Sequence, residues 1–268
     1  MHLSFQKAIP MPSPQTELHA LLEEAFDRYN RPDFIEEDPI QVPHLFSKKE
    51  DIEIAAFLSA TIAWGRRASI IKNAHALVDR MDRDPFRFVM EANEAELERL
   101  EGFVHRTFNA VDARSLVLGL RDIYKKEGLE ALFAKGMGDE QSTFGGIVAL
   151  HKRLCSQPDF AERSRKHVAN PARGSSAKRI NMFLRWMVRD DGRGVDFGLW
   201  KTIRPSQLMM PLDVHTGTVA RTLGLLQLKQ NNWKAVISLT DALRRFSKDD
   251  PVRYDFSLFG LGAYNQLV

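Results

Sequence analysis

Lys178 and Asp213 are the two residues whose types and settings best suit chemistry. Lys178 ends the run Pro171-Ala172-Arg173-Gly174-Ser175-Ser176-Ala177-Lys178, in which a glycine and two small hydroxyl residues lead into a helical pattern. A helix start of this kind presents unpaired backbone N–H groups and a partial positive charge, a setting that binds phosphate. Ser175 or Ser176 would serve equally as a plain N-cap. A cation in the first turn opposes the helix macrodipole. That repulsion favours the neutral amine a nucleophilic lysine needs; an ordinary solvent-exposed lysine is the other reading. Asp213 stands where the irregular, apolar approach Pro205 to Leu212 meets a second helix start. It fits an N-cap, and a capping carboxylate is held rigidly enough to present an ionised oxygen to a cleft. His215 follows in the first turn, as a surface imidazole or as a site residue.

The surrounding charge points to an anionic partner. From Arg163 to Arg193, nine Lys and Arg stand against Asp190 and Asp191, a local charge of +7 on a chain whose total is +3. Such a block is a footprint for phosphate or nucleic acid, or else a solvated helix face. The 44% hydrophobic and 27% charged shares exclude long disorder. The longest apolar run, Ile54 to Leu58, is far short of the roughly 20 residues of a membrane span. Met1 to Lys7 lacks the apolar stretch of a secretory signal, so a cytoplasmic location and no membrane are expected. The single Cys155 excludes an internal disulfide framework and any iron–sulfur cluster held by four thiolates. No HExxH, P-loop or GxGxxG pattern is present, so neither a metal nor an organic cofactor is expected.

The elements that must position these residues read as helices. Pro10, Pro12 and Pro14 suggest an irregular arm over the first fifteen residues. Thr16 to Tyr29 follows with an apolar face, then a Pro-broken connector. Ser47 and Glu50 have capping-box spacing before a helix through Ile52 to Ala60. Further helices are expected over about Ala68 to Met81, over Pro85 to Leu100 in one or two pieces, and from the Asn109 cap through Lys126. Gly136, Gly138, Gly145 and Gly146 suggest a loop before Ile147 to Cys155. Helices over Ala177 to Arg189, after Asp213, over Trp233 to Phe246 and over Pro251 to Gly260 complete the chain. Almost nothing alternates with period two, so the class is all-α. Residues 1–46 are expected as arm, helix and connector, and residues 47–268 as the main helical domain.

Leu212-Asp213-Val214-His215-Thr216, with Val219-Ala220-Arg221 and Leu223-Gly224-Leu225, resembles the aspartate motif of the helix–hairpin–helix DNA glycosylases. There an Asp-x-His tripeptide opens a helix, and Asp213 matches the catalytic aspartate. Phe57-Leu58-Ser59-Ala60-Thr61 is similar to the family's early DNA-facing helix, with Thr61 where the family has glutamine. Phe103 to Asn109 resembles the segment beside the base pocket. The resemblance covers about residues 50–260. It is close to a prokaryotic family of unknown function that shares the stretches Gly174 to Arg179, Phe183 to Arg189, Pro211 to His215 and Tyr254 to Gly262. The archaeal 8-oxoguanine glycosylases look like its nearest characterised relatives. The usual hairpin reads Leu-Pro-Gly-Val-Gly, with any lysine two residues on. Here only Gly174 remains, with Lys178 four residues later and 35 before Asp213.

The resemblance implies a two-lobed, all-α fold with a DNA cleft between the lobes. The implied reaction cuts the N-glycosidic bond of a damaged base, an oxidised purine. Lys178 would attack the sugar through a Schiff base and so permit strand cleavage, with Asp213 as its partner. Gly174 to Ala177 are expected to hold a phosphate through backbone N–H groups, with Arg173, Arg179 and Arg185 as further phosphate contacts. Thr61, Trp64, Phe108, Trp186 and His215 are the candidates for the base pocket or for stacking. The alternatives are a non-catalytic nucleic-acid module of the same fold and a helical protein-interaction scaffold.

Overall fold

The computed structural model describes residues 14–263. Most of the expected N-terminal arm, including Pro10 and Pro12, lies outside them; Pro14 instead opens a helix. The helices are α1 (Pro14–Tyr29), α2 (Asp33–Glu36), α3 (Lys49–Thr61), α4 (Arg67–Asp79), α5 (Pro85–Glu91), α6 (Glu94–Leu97) and α7 (Ala110–Lys126). They continue as α8 (Leu129–Met137), α9 (Phe144–Cys155), α10 (Lys178–Val188), α11 (Val214–Thr222), α12 (Trp233–Arg244) and α13 (Tyr254–Ala263). The only sheet among the described residues is a two-residue hairpin, β1 (Val104–His105) against β2 (Phe108–Asn109), with Val104 opposite Asn109. The class is all-α. Among the described residues, no helix is long and apolar enough to cross a membrane.

One hydrophobic core runs from Leu22 of α1 to Leu261 of α13. The α3 helix lies within it. Every residue from Asp51 to Thr61 is buried, so α3 has no solvent face and little amphipathic signal. It packs on α10, α4 and α5, while α13 packs on both α1 and α11. The expected Ser47–Glu50 capping box does not form: the helix opens at Lys48, without a side-chain cap. Asn109 caps α7 as its type predicts, with Asp112 completing a capping box.

The glycine cluster is a correction. Gly136 lies inside α8, and Gly145 and Gly146 inside the first turn of α9. A Cβ on Gly145 would come within 2.3 Å of the Gly136 carbonyl oxygen, and one on Gly136 within 2.5 Å of the Ala149 methyl group. These glycines let two helices touch backbone to backbone, where their composition suggests a loop.

Candidate functional site

The loop that presents Lys178 is pinned at both ends. Pro171–Arg173 makes one 3-10 turn, closed by Gly174 in the left-handed region at φ 86°. Gly174 also accepts a hydrogen bond through its carbonyl from the Trp233 N–H, at the start of α12. Ala177 is left-handed as well (φ 49°) and turns the chain into α10, whose first residue is Lys178. The expected phosphate cradle forms only in part. The N–H groups of Gly174, Ser175 and Ala177 donate to Pro171 O, Asn170 O and Ser175 Oγ. The N–H groups of the first turn of α10 receive no capping side chain, so they are the anion-facing donors that remain.

Asp213 is the N-cap of α11, its Oδ1 accepting from the Thr216 N–H at 2.9 Å. Its other oxygen, Oδ2, lies 3.7 Å from Lys178 Nζ. The aspartate therefore caps a helix with one oxygen and meets the lysine with the other. Lys178 Nζ also rests 3.6 Å from Met182 Sδ, one turn along α10. Asn231 steadies the approach by donating to the Asp213 carbonyl.

Both residues line a cavity of about 580 Å³. Phe34, Trp64 and Phe259 contribute aromatic surface to it, and Phe34 meets Phe259 edge-on at 6.0 Å. His215 and Arg179 line it too. Arg179 is largely committed: it donates to the Thr61 carbonyl, and its guanidinium sits 4.7 Å from the centre of the Trp64 ring. Burial lowers its pKa to about 10. Trp64 stacks on His167 at 5.6 Å, and burial lowers the pKa of that imidazole.

The sequence did not mark Phe34 and Phe259 as cavity residues, nor two buried acids there, Asp38 and Asp255. Asp38 is 9% exposed, and its Oδ1 accepts from the Ile40 N–H. Burial raises its pKa, against the pull of Arg185, Lys178 and Arg67. Asp255 is 6% exposed and bonded to Arg185; burial pushes its pKa up to about 6. An aspartate on the otherwise apolar helix Tyr254–Ala263 was the signal available for it.

Several expected site residues lie elsewhere. Thr61, Phe108 and Trp186 are 2%, 0% and 0% exposed and cannot stack on a base from the core. Arg185 does line the cavity, but it is 3% exposed and held between Asp196 and Asp255, so it is no phosphate contact. Neighbouring Arg189 is held by Asp191, Asp196 and Asp250. Arg163, Arg165 and Arg193 pair with Asp112, Glu162 and Asp27. The basic segment is thus largely matched by acids from distant parts of the chain, which a local charge count does not register. Arg173 and Lys166 stay exposed and, among the described residues, without an ion-pair partner, beside a groove of about 800 Å³ that abuts Gly174 and Ser175. Among the described residues, no group of three or more His, Cys, Asp or Glu is placed to hold a metal ion.

The fold and cavity define a class first: an all-α protein that sets an amine beside a carboxylate in a hollow with three aromatic side chains in its wall. The chain belongs to the family of proteins of unknown function DUF2400, whose model matches residues 38–264. No curated protein and no solved structure matches the chain.

Proposed function

We propose that the chain is a DNA glycosylase of the helix–hairpin–helix type, which removes a damaged base, an oxidised purine, from DNA. In this reading the turn Pro171–Arg173, the loop to Ala177 and α10 are the hairpin unit, and the cavity is the cleft between two lobes. The observation that carries it is the Lys178–Asp213 pair, 3.7 Å apart in a cavity with aromatic walls. Total charge does not carry it, since most of the basic segment is paired internally.

The damaged nucleotide is flipped out of the stack, at a cost of about a few kcal/mol, and its base lies against Trp64, Phe34 and Phe259. Asp213 Oδ2 takes a proton from Lys178, and the free amine attacks C1′ of the sugar. The C1′–N bond breaks and its electron pair leaves with the base. Opening of the sugar ring, with one proton of the attached amine passing to O4′, gives the Schiff base, from which elimination cuts the strand. Arg173 and the free N–H groups of α10 take backbone phosphates.

Borohydride trapping on duplexes from a panel of damaged bases tests this. Lys178→Gln keeps most of the stem and should abolish the trapped adduct. Asp213→Asn keeps a capping side chain and should slow base release by about 10²-fold or more. Undiminished trapping by Lys178→Gln removes the lysine from the chemistry, and full base release by Asp213→Asn reduces the aspartate to a cap.

A further inference from the structure

The lysine chemistry leaves two carboxyl groups in the cavity unused, Asp38, which accepts from the Ile40 N–H, and Asp255, which is held by a side chain alone. Asp255, in the first turn of α13, lines the same hollow as Lys178 and Asp213. Its Oδ2 accepts from Arg185 Nη1 at 2.5 Å, while its Oδ1 has no hydrogen-bond partner among the described residues. The residue is more than nine-tenths buried. That oxygen is not sealed off like the fully enclosed unpaired atoms of the described residues; it is open to the cavity, where a ligand or a proton can meet it.

Burial favours the proton, and the neighbouring cations counter it only in part. Arg185 divides its single charge between Asp255 and Asp196. Asp196 is shared in turn with Arg189, which also holds Asp191 and Asp250. Four carboxylates therefore face two guanidiniums. Lys178, across the cavity, favours the ionised form, while Asp213 and burial oppose it. The Asp213 side chain, by contrast, is 29% exposed. Two acids in one site with different surroundings are the pattern that separates acid from base roles.

We propose, on the glycosylase reading above, that Asp255 is the acid that protonates the departing base. As the C1′–N bond breaks, its electron pair moves onto the base nitrogen, which takes the proton from Asp255 Oδ1. The carboxylate left behind is held by Arg185 and regains a proton from water once the base has gone. Asp213 keeps the proton it took from Lys178, so the two acids do separate work.

Two substrates isolate this step: a duplex containing 8-oxoguanine, which must lose a base, and one containing an abasic site, which has none to lose. Asp255→Asn should release 8-oxoguanine at least tenfold more slowly at pH 6 while trapping on abasic DNA within twofold of wild type. The ratio of wild-type to variant base release should shrink toward one as pH rises above about 6, because the wild-type acid is then ionised. Wild type alone gives a second measurement that needs no folded variant: base release should fall relative to abasic trapping between pH 6 and 8. Equal losses on both substrates, or parallel wild-type profiles, would overturn the role of Asp255 and leave Lys178 untouched. A wild type that traps neither substrate overturns both readings.

Discussion

Asp196 is the residue on which the buried charge network turns. Its Oδ1 accepts from Arg185 Nε at 3.2 Å and its Oδ2 from Arg189 Nη1 at 2.6 Å, and its side chain is 1% exposed. Asp196→Asn keeps the shape but removes the charge, and it turns an amide N–H₂ toward one of the guanidiniums. Breaking one side of a buried pair costs about 3–5 kcal/mol, because the partner charge stays buried. An unfolding entropy of about 2.1 cal/mol/K per residue gives this chain roughly 0.56 kcal/mol/K, so Tm should fall by about 5–9 °C. Differential scanning calorimetry at one fixed scan rate measures it. Asp79→Asn, which breaks the exposed Arg83–Asp79 contact of 2.7 Å, is the control and should move Tm by no more than about 2 °C. The salt dependence of DNA binding should be the same for Asp196→Asn and wild type, because neither arginine faces phosphate. A Tm within 2 °C of wild type would refute the claim that these buried pairs hold the α10 region together. A changed salt slope would put the arginines back at the interface.

Three further outcomes are expected. Replacing Lys166 and Arg173 together by Ala should lower the slope of log affinity against log salt by about two units, read by fluorescence anisotropy on duplex DNA; an unchanged slope takes the groove out of the interface. Gly145→Ala forces a methyl against the Gly136 carbonyl and should cost about 1–3 kcal/mol of stability in urea unfolding; a neutral result would mean that α8 and α9 part easily. Asp255 ionises at about 6 in the fold against about 3.9 in an unfolded chain, so the folded state keeps this proton longer. Its contribution to stability is full below about pH 4 and is lost as pH rises through 6. The stability of wild type relative to Asp255→Asn should therefore drop by about 2–3 kcal/mol between pH 4 and 7. A flat difference would show that burial does not hold the proton there.

Local chemistry made much of the fold legible. The Asn109 cap and the apolar periodicity of α7 and α12 are signals carried within a few residues, and the structure follows them. Lys178 and Asp213 were readable for the same reason, since each is marked by the helix it begins. The failures share a different cause. Arg185, Trp186 and Thr61 have neighbours that look like site residues, but their burial is decided by packing between α3 and α10. The glycines of α8 and α9 match a loop in composition, and only the partner helix shows what they serve. Asp38 belongs to a short turn and Asp255 to an apolar helix, so neither carries a motif. Nothing in the sequence says that the two meet across 217 positions.

The contact of α1 with α13 sets the order in which the site can be assembled. Leu22, Ala25 and Phe26 find their cover largely on a helix made more than 220 residues later. Lys178 and Asp213 emerge from the ribosome well before that cover exists, but Asp255 and Phe259 arrive with it. Until α13 docks, the hollow lacks Asp255 and one of its aromatic walls, and α1 shows an apolar stripe to solvent. Contacts of such long sequence separation pay their loop entropy before any return and form late. A chain stopped before Tyr254 would thus carry the amine and its carboxylate partner on an open face, so the cavity cannot close before α13 has been made.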